Sequence, residues 1–132
     1  PERRINRGEI GAVERWKGQA NALVGQGGEA AAKKFLQAQG YEIADSRWSC
    51  SAGEIDLIAR KNRLIIFVEV KTSRSIDQAV IRISEAQQRR IVNAAHVWLS
   101  KHAFGPRFLF RFDAIFVGGS GQLKHIEGAW TA

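Results

Sequence analysis

The chain has 132 residues, 45% of them apolar and 25% charged, and its 20 Lys and Arg outnumber 13 Asp and Glu for a net charge of +7. That length predicts one domain with a true core, and the basic excess directs attention to polyanionic partners such as nucleic acid. A single cysteine excludes an intrachain disulfide, and no apolar run approaches the ~18 residues of a membrane helix, so a cytoplasmic protein with no membrane partner is expected.

The first stretch, residues 1–9, is basic and poor in apolar groups, which predicts a frayed end. Ile10, Val13, Ala20, Leu23 and Val24 allow a helix that the glycines Gly25, Gly27 and Gly28 should interrupt. A second helix over 28–39 packs Ala31, Phe35 and Leu36 inward and closes at Gly40. Residues 41–48 read as a first strand, and residues 53–60 and 64–71 as a hairpin about Lys61-Asn62, where Asn tolerates the positive φ of a tight turn. Residues 72–82 are polar and read as a flap. Ser84-Glu85-Ala86-Gln87 is a capping box opening a helix to about Lys101, with Ile91, Ala94, Ala95, Trp98 and Leu99 on one face. Residues 108–117 and 122–127, separated by Gly118-Gly119-Ser120-Gly121, supply two further strands, the last at an edge. Together these predict a mixed sheet of about five strands flanked by helices.

The chemistry lies in the hairpin. Side chains alternate along a strand, so Glu69 and Lys71 share a face with Ile65 and Phe67, while Ile66, Val68 and Val70 point the other way. Charges on so apolar a segment cost several kcal/mol each unless partners offset them. Antiparallel return about the turn brings Asp56 level with residues 67–69, so two carboxylates converge beside one lysine. That set suits a hard divalent cation, Mg²⁺ or Mn²⁺, with the lysine acting on an attacking water or on developing phosphorane charge. His96, His102 and His125 lack zinc spacing, and one cysteine cannot complete such a site.

Asp56 followed by Glu69-Val70-Lys71 on consecutive core strands resembles the restriction-endonuclease-like nucleases, whose motif is PD-(D/E)xK, including the Holliday-junction resolvases. A closer resemblance is to the YraN family of uncharacterised bacterial proteins. It is carried by Gly25, Gly28-Glu29, Gly40-Tyr41, Gly53 to Ala59, Phe67 to Lys71, Gln88 to Arg90, Arg111-Phe112-Asp113 and His125-Ile126. The chain departs from that pattern two positions after the lysine, where Ser73 stands and the basic residue, Arg74, comes one later. The resemblance implies a restriction-endonuclease-like fold, Asp56, Glu69 and the Val70 carbonyl as metal ligands, Lys71 as catalytic base or electrostatic stabiliser, and Glu29 as an additional helix acid. It implies hydrolysis of DNA phosphodiesters, and by analogy with the resolvases a homodimer.

Arg74, Gln88 and Arg89 are the candidate phosphate contacts. Arg111 and Asp113, two apart on one strand face, read as an internal ion pair, and Glu54 as a solvated charge or an acid behind the site. The rival to a nuclease is a nucleic-acid-binding module in which the triad is a structural charge cluster.

Overall fold

The computed structural model describes residues 16–73 and 83–132, with side chains from residue 27 onward. A long helix, α1 (Trp16–Ala38), leads into a meander of β1 (Glu42–Cys50), β2 (Gly53–Lys61) and β3 (Leu64–Ser73). Helix α2 (Glu85–Ser100) connects it to β4 (Leu109–Gly118), and β5 (Leu123–Trp130) follows. The sheet order is β1-β2-β3-β4-β5, antiparallel throughout except for the parallel β3–β4 pair. A parallel neighbour requires a crossover, and α2 lies within it. The expected mixed five-strand sheet with flanking helices is therefore the observed fold.

Most strands fall within one or two residues of their expected bounds. Asn62 turns the hairpin at φ 56°, and Gly40 closes α1 at φ 96°. The α1 end is a Schellman motif, with Tyr41 N–H donating to Leu36 O and Gly40 N–H to Gln37 O, both at 3.0 Å. Strand β5 runs to Trp130, further than the sequence pattern suggested.

The two expected N-terminal helices are one. Helix α1 passes through Gly25, Gly27 and Gly28 without a break. Glycine lowers helix stability by about 1 kcal/mol per residue, yet it does not forbid the conformation, and tertiary packing can override it. At Gly28 the reason for glycine is a close approach, since a Cβ would run into the side chain of Thr72 on β3. Residues 1–15, including the expected frayed end, and the part of the expected flap beyond Ser73, residues 74–82, lie outside the described residues.

Two apolar layers cover the sheet. On one face Ile65, Phe67, Phe112, Ala114 and Phe116 pack against Ile91, Ala94, Ala95 and Trp98 of α2. On the other, Ile66, Val68, Val70, Ile115 and Val117 pack against Ala32 and Leu36 of α1. The alternation along β3 is as expected, and Glu69 and Lys71 consequently belong to the α2 side. On β2 the alternation slips. Leu57 and Ala59 face α1, but Ile55 and Ile58, three apart, both face α2, so the strand is irregular at Asp56.

Candidate active site

That irregularity shapes the site. β2 and β3 pair from Lys61↔Leu64 to Leu57↔Val68, and there the ladder stops. Both strands continue, but each pairs with its outer neighbour: β2 with β1 down to Gly53, and β3 with β4 up to Ser73. The sheet thus splits between the two strands just where register would set Asp56 opposite Glu69. In the split the Asp56 carboxylate replaces a backbone acceptor, its Oδ2 receiving the Val70 N–H at 2.8 Å. This ties Asp56 to the residue between Glu69 and Lys71. Asp56 and Glu69 are only 2% and 5% exposed.

Glu69 and Lys71 meet directly, Nζ lying 3.4 Å from Oε2. A third residue completes the contact. Gln87, in the first turn of α2, donates from Nε2 to Glu69 Oε2 at 2.7 Å and accepts Lys71 Nζ on Oε1 at 3.3 Å. Its amide orientation is dictated by this pairing, since an ammonium needs the oxygen and a carboxylate needs the NH₂. Both contacts on Glu69 fall on Oε2. Lys71 keeps 18% of its side chain exposed against 6% for Glu69, so the lysine stands at the mouth of the split and the carboxylate behind it.

Gln87 is the residue that sequence reasoning passed over. The capping box forms by half: Ser84 Oγ accepts the Gln87 N–H at 3.1 Å, as expected of an N-cap. The glutamine side chain, which would return to the cap in a full box, is turned to Glu69 and Lys71. A polar side chain at the third helical position, after a strand ending in buried charges, was the available signal. Its neighbour Gln88, the candidate phosphate contact, instead donates to the Ile83 carbonyl at 3.0 Å. Arg89 is exposed on α2, and Arg74 lies outside the described residues.

Glu29 belongs to the α1 side. It is 7% exposed, and its Oε1 accepts Arg47 Nε at 2.9 Å. Flanking pairs Ser46↔Leu57 and Trp48↔Ile55 set Arg47 opposite Asp56 on the neighbouring strand, so this ion pair borders the split. Glu29 Oε2 is buried and has no hydrogen-bond partner among the described residues, an unusual state for a carboxylate oxygen. Glu54 is exposed, on the outer side of Asp56.

Among the described residues no three or more His, Cys, Asp and Glu side chains converge as a metal cage. Asp56, bound to the residue after Glu69, and Glu69 itself offer carboxylate oxygens, the donors that Mg²⁺ or Mn²⁺ take together with waters, and not the nitrogen and sulfur donors that zinc favours. Asp56, Glu69 and the Val70 carbonyl are the groups that would hold such an ion.

Arg111 and Asp113 do form the expected internal pair, and more besides. Asp113 is fully buried and receives Arg111 Nε at 2.8 Å, Arg111 Nη2 at 2.9 Å, the Gly128 N–H at 3.0 Å and His125 Nε2 at 2.8 Å. Burial by itself would raise the Asp113 pKa, but the hydrogen bonds from His125, Arg111 and Gly128 outweigh it and hold the group below its ordinary 3.8. The Asp113 hydrogen bond in turn pushes the Arg111 guanidinium well above its usual range.

A split mixed sheet with Asp on one lip and Glu-x-Lys on the other has the restriction-endonuclease-like arrangement. The family model for "Uncharacterised protein family UPF0102" matches residues 28–117. A UPF0102 protein of Nitrobacter winogradskyi is 42% identical over 108 residues, covering 82% of this chain and 92% of the relative. One of Rhodopseudomonas palustris is 41% identical over 82% of this chain and 83% of its own length, and one of Myxococcus xanthus 41% identical over 82% and 89%. The chain belongs to the UPF0102 family, the YraN family of the sequence resemblance. Among the described residues no helix is long and apolar enough to cross a membrane.

Proposed function

We propose that the protein is a metal-dependent nuclease that hydrolyses DNA phosphodiesters at the split between β2 and β3. The observation that carries this reading is the strand separation in which the buried Asp56 carboxylate takes the N–H of Val70, the residue between Glu69 and the partly exposed Lys71. A purely structural ion pair needs neither the break in the ladder nor a second buried acid. Mg²⁺ or Mn²⁺ bound here would supply Lewis acidity toward the scissile phosphate and lower the pKa of a bound water. The chain's own part is positional. Glu69 and Gln87 hold the Lys71 ammonium at the mouth of the site, where it can orient the attacking water and stabilise charge growing on the phosphate. The +7 charge favours the DNA backbone in a salt-dependent way.

The second reading, a DNA-binding module without turnover, draws on one contact: the Gln87 amide already occupies Glu69 Oε2. The deciding experiment is cleavage of linear, flapped and four-way DNA with Mg²⁺, Mn²⁺ or EDTA, comparing the wild type with Asp56→Ala. Cleavage that needs the metal and Asp56 is expected, together with affinity that falls linearly in log K against log salt. No cleavage of any substrate with either ion, alongside salt-dependent binding, selects the module.

A further inference from the structure

The far end of the sheet carries a feature that the split does not use. Trp98, 2% exposed, is fixed by its indole Nε1 donating to Asp45 Oδ2 at 2.9 Å. The His102 ring stacks on it at 3.9 Å and 25°, Phe104 follows 5.8 Å from His102 and 20° from parallel, and Phe108 lies 4.8 Å beyond Phe104. The Arg60 guanidinium sits 4.7 Å over the Phe108 ring. Beside this ladder, Leu109 at 66% and Phe110 at 45% are the exposed large apolar side chains among the described residues. Parallel pairing puts Phe110 across from Ile65, on the α2 side with Phe112.

The surrounding charge is predominantly basic. Residues 60–64 and 100–110 contain Arg60, Lys61, Arg63, Lys101 and Arg107, all exposed, and no Asp or Glu. Of the acids on the adjoining strand β1, Asp45 is committed to the Trp98 indole, and Glu42, across from Arg60, is outnumbered by the five basic residues. Phe104 and Phe108 are half-buried against the core, and Arg60 covers the Phe108 ring, so Phe110 is the exposed ring of the patch; an exposed ring inside a basic rim fits a polyanion that also offers flat apolar surfaces. A duplex presents its phosphates but keeps its bases stacked inside, whereas an unpaired strand presents both. An acidic protein segment would satisfy the rim and leave the Phe110 ring without a planar partner.

We infer that this end of the sheet is a second DNA contact, one that stacks an unpaired base on Phe110, backed by the half-buried Phe104 and Phe108, while Arg63, Lys101 and Arg107 hold the phosphates. It rests on the proposed function only for the choice of DNA as the polymer. Along β3, Ile65 and Lys71 are six residues apart, which at ~3.3 Å per residue separates the platform from the candidate active site by about 20 Å. A strand held at both places would present its junction with a duplex, or a flap, to the split. The substrate class this selects is DNA carrying a single-stranded segment.

Fluorescence anisotropy in EDTA, with a labelled oligothymidine and a blunt duplex of equal length, tests this apart from any cleavage. Phe110→Ala should weaken oligothymidine binding at least about fivefold, the low end for losing one stacked base, and weaken duplex binding by less than about twofold. Arg107→Ala, at an exposed position that the fold does not need, should weaken both polymers and reduce the salt slope. Equal loss on both polymers with Phe110→Ala, or no loss on either, overturns the platform. So does a change in oligomeric state by sedimentation with no change in binding, which would make the patch a contact between copies. Protein that cleaves nothing with Mg²⁺ but loses oligothymidine through Phe110→Ala keeps the platform and drops the nuclease, and the converse pattern does the reverse.

Discussion

Two buried acidic clusters, one on each face of the same sheet, differ in how completely they are closed. On the α1 side Asp113 has no exposed surface and receives four hydrogen bonds, from both ends of its carboxylate. His125 seals it further, its ring standing edge-on to Phe35 at 5.7 Å. On the α2 side Glu69 receives its two contacts on a single oxygen, and its lysine partner is partly in solvent at the end of a split ladder. Both clusters hold charges out of water, but only the first is satisfied as a structural element should be. The second leaves Glu69 held through one oxygen only, and it is the cluster that the proposed function uses. Burial of a carboxylate alone is therefore no argument for an active site; the proposed function rests on burial next to a broken ladder and a partly exposed ammonium.

The largest expected effect falls on the closed cluster. Asp113→Ala leaves Arg111 and His125 without their shared partner and should cost about 3 to 5 kcal/mol of stability, the range for breaking a buried pair. Chemical denaturation measures it, and a loss under about 1 kcal/mol would put Asp113 in the same class as an exposed ion pair. Because the folded-state pKa is depressed, this stabilisation is present above the unfolded carboxyl value of 3.8 and is lost as pH falls through the lower folded value. The wild type should therefore keep this contribution from neutral pH down to about 4. Its acid limb below that should flatten in the variant.

Lys71→Ala comes next and should separate the clusters by kind. With 18% of the side chain exposed, and Gln87 still present, water can take the place of the ammonium. The melting temperature should stay close to that of the wild type while cleavage falls about a hundredfold, equivalent to about 2.7 kcal/mol in the barrier. A destabilisation as large as that of Asp113→Ala, with no specific loss of cleavage, would make the open cluster structural as well.

How much of this was legible follows from what each residue needs. Asp56, Glu69 and Lys71 announced themselves because charges inside runs such as Leu64 to Val70 conflict with local patterning, and such conflicts concentrate at functional sites. The β2–β3 pairing followed from the Asn62 turn and the faces of β3 from alternation, whereas the order of the other strands did not. The continuity of α1 was not legible, because the reason for Gly28 is Thr72, a residue 44 positions away that meets it only in the folded chain. Gln87 was hidden differently: its place in a capping box offered a sufficient local explanation, and only the position of α2 over β3 shows that its side chain is used elsewhere. The Asp113 cluster was half legible, as Arg111 is two residues away, while His125 arrives from the neighbouring strand β5, where Ile115 and His125 pair.

Gln87 supplies the smallest effect and the finest distinction. If its amide serves to orient the site, Gln87→Ala removes the bridge between Glu69 Oε2 and Lys71 Nζ, and each long side chain gains rotamers that are unproductive. Water can replace either hydrogen bond at this partly solvated edge, so the loss should be about tenfold in cleavage, or about 1.4 kcal/mol, with less than about 1 kcal/mol in stability. Apparent metal affinity should weaken little, since the amide nitrogen donates to the carboxylate and cannot itself ligate a cation. The alternative is that the amide keeps Glu69 out of the metal's reach. Removing it should then raise cleavage and lower the Mg²⁺ concentration needed for half-maximal rate, because an acceptor oxygen is released. A Mg²⁺ titration of cleavage for the wild type and Gln87→Ala gives opposite signs for the two roles. The sign shows whether the contact at 2.7 Å belongs to a site already arranged for chemistry or to one held back from it.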